Sequence, residues 1–352
     1  MLNTFVPRGW FPPVTPGCKF VTVGGMIAAD VHGKNHHNAG SFGNHVKWIE
    51  VMDADGKTRL ARPGSALFKA TVGGMGLTGV ILRAAFCLRP IQTGWIRQES
   101  IVAKNLDEVM DVLEDSDSWD YSVAWIDCLA TGEGFGRSIV LLGEHATPDE
   151  LGEKQARNPY PAARKLRNVP IDAPGWLLNR LSARAFNALY YRAGVRNEGD
   201  ALIDWDTYFY PLDAVGGWNR LYGPKGFAQY QCVFPLDDSK PGLNRVIGEI
   251  SRSGQGAFLS VLKRFGPGTG TGISFPMEGY TLALDFPMSP GALDLMDKLD
   301  EIVIELGGRI YLAKDSRMRP ATMRAGYGKT LDKFISACDR RFRSLQSERL
   351  EL

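Results

Sequence analysis

The chain has 352 residues with 41 basic and 39 acidic side chains, a formal charge of +2, and 44% hydrophobic residues. That length allows two domains around a sizeable core, and the near-neutral balance excludes the broad basic field of a nucleic-acid-binding protein. Five scattered cysteines (Cys18, Cys87, Cys128, Cys232 and Cys338) with no CxxC pair exclude a disulfide framework and a structural zinc site.

No apolar run reaches the ~18 residues of a membrane span, and Pro7, Arg8, Pro12 and Pro13 stand where a signal peptide needs an apolar helix. A cytoplasmic or membrane-associated location is expected, with a periplasmic one left open. In the first part of the chain, residues 20–23, 46–53, 70–72 and 80–88 read as strands between glycine turns. Asp55-Gly56 between two apolar runs predicts a hairpin. Asn105 is placed to cap a helix through about Glu114, with Leu106, Val109, Met110 and Leu113 at helical spacing and Asp107-Glu108 in its first turn. Residues 145–167, polar and basic, read as a long mobile loop. An amphipathic helix is expected over 176–191, with Arg180, Arg184 and Arg192 along it. Residues 228–235 and 280–286 alternate like strands, 243–253 and 292–306 read as helices, and Gly307-Gly308 stops the second of these. The stretch 321–352 reads as helical. The expectation is an α+β chain.

The stretch from Val21 to His45 holds four of the five histidines and five glycines, with small or β-branched residues between them. Glycine permits close approach of backbone to a flat ligand, so the segment reads as a ligand-binding loop. Its histidines lack the helical frame and acidic partner of an HExxH site, so no metal is expected, and His36, His37 and His45 read as satisfying loop backbone groups. Gly74-Met75-Gly76-Leu77-Thr78-Gly79 is formally GxGxxG, but a strand-like run follows it where a dinucleotide fold needs a helix. Gly40-Ser41-Phe42-Gly43 is not a nucleophile elbow, and no Walker lysine follows a glycine loop.

The opening segment, together with Leu67-Phe68, Ala70-Thr71-Val72-Gly73-Gly74, Ser122-Val123-Ala124-Trp125-Ile126-Asp127, Trp218-Asn219-Arg220, Phe227-Ala228-Gln229-Tyr230-Gln231, Lys263-Arg264-Phe265-Gly266-Pro267 and Tyr311-Leu312-Ala313-Lys314-Asp315-Ser316-Arg317, closely resembles the decaprenylphosphoryl-β-D-ribose 2′-oxidase family. These are FAD enzymes of the vanillyl-alcohol-oxidase-like group. The resemblance implies a partial FAD-binding (PCMH-type) domain at 1–92, a substrate domain with an antiparallel sheet flanked by helices at 93–308, and a segment at 309–352 returning to the FAD domain.

The resemblance further implies FAD contacts from Gly17, Thr22, Val23, Gly24, Gly25, Ala29, Asp30, Val31, His32, Ile81 and Tyr311. Lys34, Trp125, Tyr208, Asn219, Gln229, Gln231 and Lys263 would line the substrate side, and Lys314, Lys263 and Gln231 would carry catalysis. The implied reaction is oxidation of the ribose 2-hydroxyl of a polyprenylphosphoryl-β-D-ribose. It would be the first half of an epimerisation to arabinose for cell-wall arabinan, completed by a separate short-chain reductase. A cation near the reacting oxygen suits that chemistry, because it stabilises alkoxide character. The alternatives are an FAD-linked sugar or alditol oxidase with a non-lipid substrate, or a truncated, non-catalytic fragment.

Family members carry a further N-terminal stretch with the glycine loop that cradles the FAD pyrophosphate, so the 352 residues alone are expected to bind FAD weakly or not at all. They also carry a cysteine at the position of Ala283 and a threonine at that of Cys18. Cations and aromatics in the basic loop and the helix after it suggest peripheral membrane contact.

Overall fold

The computed structural model describes residues 1–174, 179–257 and 259–352. The strands that position the site are β1 (Val46–Met52), β2 (Thr58–Ala61), β3 (Val80–Phe86), β4 (Trp95–Ala103), β5 (Tyr121–Ile126), β6 (Ser138–His145), β7 (Gly199–Asp204), β8 (Phe227–Pro235), β9 (Ser260–Phe265), β10 (Gly279–Pro287) and β11 (Arg309–Ile310). The principal helices are α1 (Val23–Ala28), α2 (Ala66–Thr71), α3 (Leu106–Asp115), α4 (Arg180–Arg196), α5 (Leu236–Ser253), α6 (Pro290–Glu305), α7 (Pro320–Ala337) and α8 (Leu345–Leu350). The chain is α+β.

A three-stranded antiparallel sheet, ordered β2-β1-β3, carries a small core of its own built on Val46, Ile49, Val51, Phe42, Phe68 and Val72. The Asp55-Gly56 turn closes its β1–β2 hairpin, with Gly56 at φ 77. The remaining strands form an eight-stranded antiparallel sheet in the order β7-β4-β6-β5-β9-β10-β8-β11. Strand residues alternate between faces, so the register decides what each face carries. Ala124, Leu262, Leu282 and Cys232 lie side by side across β5, β9, β10 and β8, and with Tyr230, Phe234 and Leu284 they form the apolar face. Helices α3, α5 and α6 cover that face with Val109, Leu113, Val246, Ile250, Leu295, Leu299 and Val303. The α3 cap is as expected, Asn105 accepting from the Glu108 amide at 2.9 Å.

Several local expectations are corrected. Residues 20–23 are not a strand: Val23 begins α1, whose cap is the Thr22 hydroxyl accepting from Gly25 N at 3.0 Å. Residues 70–72 end a helix, because Ser65 caps α2 at the Phe68 amide and so nucleates it. The expected helix over 176–191 is described from Arg180 and extends to Arg196, while residues 175–178 lie outside the described residues. The stretch 321–352 is two helices, α7 and α8. The basic loop is tethered: the Trp205 indole donates to Pro161 O at 2.8 Å, and Arg164 N donates to the Asp206 carboxylate at 2.8 Å.

Candidate active site

The second face of the large sheet is polar where the first is apolar. Trp125, Val261, Ala283 and Gln231 are cross-strand neighbours on it, flanked by the pairs Lys263–Thr281 and Gln229–Asp285. Helix α4 roofs one end. A Cβ on its Gly194 would lie 2.3 Å from the Ile139 side chain, so only glycine lets the helix sit this close, and Tyr190 meets the Trp125 ring at 4.6 Å. The opposite wall comes from the loop after α1, which brings His32 and Lys34, and from the 3-10 turn Leu312–Lys314.

These groups are coupled by hydrogen bonds whose direction can be traced. The Thr281 hydroxyl donates to Cys232 O at 2.7 Å, so its oxygen accepts from the Gln231 amide at 2.9 Å. The same amide nitrogen lies 3.1 Å from His32 Nε2, which must therefore be the unprotonated nitrogen. The proton sits on Nδ1, 3.4 Å from Lys263 Nζ, and Nδ1–H can donate there only to a neutral amine. Burial, followed by the nearby Lys314 and Lys34, lowers Lys263 to about 7. Burial first, then Lys263, His36 and Lys314, holds His32 well below its ordinary range and keeps the imidazole neutral. Its ring packs against Phe265 at 4.6 Å and Tyr311 at 5.3 Å.

Lys34 is lowered to about 7 by burial; its ammonium sits 4.0 Å from the Tyr208 ring centre and donates to Tyr208 O. Lys314 is lowered by burial, with Asp285 acting in the opposite sense. Among the described residues no carboxylate lies within ion-pair distance of Lys34, Lys263 or Lys314; the paired lysines are Lys19, Lys240 and Lys298. Such a cleft attracts anions and favours an oxyanion over its conjugate acid.

Gly17, Thr22, Val23, Gly24, Gly25 and Ile81 lie together on an exposed or half-exposed rim, where a Cβ on Gly24 would meet nothing nearer than Ile81 at 3.9 Å. Val21, Val23 and Met26 also line a neighbouring cavity of about 480 Å³ whose polar lining includes Thr15, Cys18 and Lys19. Open glycine backbone, apolar walls and a cationic edge fit a flavin ring. Ala29 joins this wall through its carbonyl, which accepts from the Tyr311 hydroxyl at 3.4 Å.

Not every expected residue reaches the cleft. Asp30 is fully buried, its carboxylate accepting from Gly43 N and Thr269 Oγ1, both at 2.9 Å, and from the Ser274 hydroxyl; Val31 packs into the small core. Both point away from the open rim. Asn219 is exposed on the 3-10 turn Trp218–Tyr222. Tyr208 is buried beneath Gly143, where a Cβ would strike its ring at 2.6 Å, so only its carbonyl and ring face serve Lys34. Among the other imidazoles, His37 Nε2 pairs with Trp119 O and His45 Nε2 with Ala39 O, each at 2.9 Å, and His36 Nε2 lies 3.2 Å from Ser41 Oγ. The sequence reading did not include Thr281 or Asp285. Strand alternation from Ala283 and Gln231 was the signal for both.

Residues 1–62 match the FAD binding domain family. The chain is 40% identical over 343 residues to the decaprenylphosphoryl-β-D-ribose oxidase of Mycolicibacterium smegmatis (strain ATCC 700084 / mc(2)155), covering 95% of this chain and 74% of that protein. It belongs to the decaprenylphosphoryl-β-D-ribose oxidase family. It is 38% identical over 332 residues to a Streptomyces coelicolor relative described as an uncharacterized protein in the mprA 5′ region, covering 92% of this chain and 89% of that protein. As a member of this family the chain is an FAD-dependent oxidoreductase.

Proposed function

We propose that the protein oxidises the ribose 2-hydroxyl of a polyprenylphosphoryl-β-D-ribose to the 2-keto sugar. The observation that carries this reading is the convergence of three lysines without carboxylate partners on a neutral His32 and two strand glutamines, beside the open glycine rim. FAD, when bound, supplies the acceptor for the hydride leaving ribose C2. Gly17, Thr22, Val23, Gly24, Gly25 and Ile81 would hold it. Neutral Lys263 gives up its long contact with His32 Nδ1–H and turns its one lone pair to the substrate, where it accepts the hydroxyl proton. The Lys314 ammonium stabilises the oxygen as it becomes an alkoxide. Lys34, lowered to about 7, becomes fully charged when an anion such as the substrate phosphate enters, because an opposite charge raises a lysine pKa. Gln229 orients ribose hydroxyls, and Gln231 fixes the His32 tautomer. Incubation of the FAD-loaded protein with the lipid-linked ribose, followed by mass spectrometry, should show a product short of two hydrogens. An unchanged lipid sugar beside an oxidised alditol would favour a non-lipid substrate.

If Lys263 must be neutral, the rate of flavin reduction should rise with pH and level off above about 7. Lys263→Arg, which stays protonated, should abolish that rise. An equal pH dependence in the arginine variant would remove Lys263 as the base.

The reading extends to a companion reaction and a surface. A 2-keto sugar would be reduced by a separate short-chain reductase to complete epimerisation to arabinose. A lipid-linked substrate is met at a membrane, and no helix among the described residues is long and apolar enough to cross one. Helix α4 carries four arginines and no acid, and presents Leu181 and Leu189 at 77% and 65% exposure. Together with Ile171, Leu166 and the cations Arg164, Lys165 and Arg167, this supports contact with an anionic lipid surface. Charge reversal of those three cations should reduce sedimentation with anionic liposomes. Unchanged sedimentation would reject the contact.

A further inference from the structure

The turn that carries Lys314 is held from behind by a part of the molecule that does not face the cleft. The Gln346 amide of α8 donates to Leu312 O at 2.7 Å and to Asp315 O at 3.3 Å, so one side chain clamps both ends of the Leu312–Lys314 turn. Arg349, one helical turn on, donates to the Asp315 carboxylate at 2.7 Å and to Met318 O. The other oxygen of Asp315 accepts from the Arg317 and Met318 amides at 3.0 and 2.7 Å, which closes the loop on itself. Helix α8 is in turn fixed by the Ser344–Ser347 capping pair and by Leu350, buried in the main core. On the cleft side the turn is tied by Tyr311 N donating to Gln231 O at 2.8 Å. Among the described residues the Lys314 ammonium makes no hydrogen bond or ion pair, so the backbone of the turn sets where it stands.

We infer that Gln346 and Arg349 of α8 are positioning residues for Lys314, holding its turn so that the ammonium stands in the cleft rather than in solvent. Every contact needed is between side chains of α8 and the backbone or carboxylate immediately flanking Lys314. The catalytic consequence rests on the role proposed above for Lys314, but the positioning does not. Without Arg349 the buried Asp315 carboxylate loses its counter-ion and draws the turn towards water, which is a larger perturbation than loss of one neutral hydrogen bond.

Competitive labelling of lysine amines with acetic anhydride across a pH series, read by mass spectrometry, tests this without substrate or flavin. In the parent, Lys314 should titrate below the ordinary 10.5. In Gln346→Ala and Arg349→Met it should move back towards 10.5, while Lys34, whose lowering comes from burial alone, should stay at about 7. Arg349→Lys, which keeps a donor for Asp315, should restore the parental value. In flavin reduction, Arg349→Met should slow the saturated rate about tenfold with little change in half-saturation, and cost nothing further in a Lys314→Ala background. An unmoved Lys314 titration in both variants overturns the inference, as does a joint shift of Lys34, which would indicate general loosening. Failure of the parent to react with the lipid-linked ribose would instead count against the proposed substrate.

Discussion

In FAD-loaded protein, replacing Lys314 by alanine should retain the flavin to the same extent as the parent and slow its reduction by substrate on the order of a hundredfold or more. The lysine stands on the short turn Leu312–Lys314 and is not one of the rim residues Gly17, Thr22, Val23, Gly24, Gly25 and Ile81, so its loss removes no part of the rim. Its ammonium is held in a water-poor cleft without a paired carboxylate, where a charge acts most strongly on an oxygen gaining negative character. Gln231→Ala should be milder, since it removes neutral hydrogen bonds to His32 and Thr281 worth roughly 1 kcal/mol each. Anaerobic stopped-flow bleaching separates the two. Parental kinetics in Lys314→Ala would move attention to Lys263.

Where local chemistry and tertiary structure agree, the sequence is easy to read. Asp55-Gly56 announces the β1–β2 hairpin because its turn requires positive φ, and Asn105 announces α3 because its side chain meets an otherwise unpaired amide. The alternation in residues 228–235 and 280–286 marks β8 and β10, which carry Gln229, Gln231 and Asp285 onto one face. The α1 helix is hidden because Val23-Gly24-Gly25 has poor helix propensity, and the short helix forms around the Thr22 cap and the burial of Met26 and Ile27. Asp30 looks like part of a cofactor loop by its neighbours, yet its backbone turns inward at φ 40. Which lysines lack carboxylate partners, and which imidazole nitrogen carries the proton, depend on contacts between residues as far apart as His32 and Lys263. No local pattern encodes them.

Asp30→Ala should be the most damaging single change to stability, costing several kcal/mol, on the order of 3 or more. Its buried carboxylate ties the loop after α1 to the glycine-rich loop holding Thr269 and Ser274, so alanine takes the acceptor from Gly43 N and the Ser274 hydroxyl at once and leaves Thr269 only its contact with Thr271. Alanine also tolerates the positive φ poorly, whereas asparagine tolerates it and keeps an acceptor. Asp30→Asn should therefore lie between alanine and the parent in thermal unfolding. An alanine variant that unfolds with the parent would show that the clamp adds nothing.

The most direct measurement mixes the FAD-loaded protein anaerobically with a polyprenylphosphoryl-β-D-ribose and, separately, with the same sugar phosphate lacking its prenyl chain and with an alditol. Rapid bleaching of the flavin by the lipid-linked ribose, lost in Lys314→Ala, is the expected result. Bleaching by the alditol alone, or an oxidised flavin with all three, would contradict the assignment of this cleft to ribose oxidation on a lipid carrier.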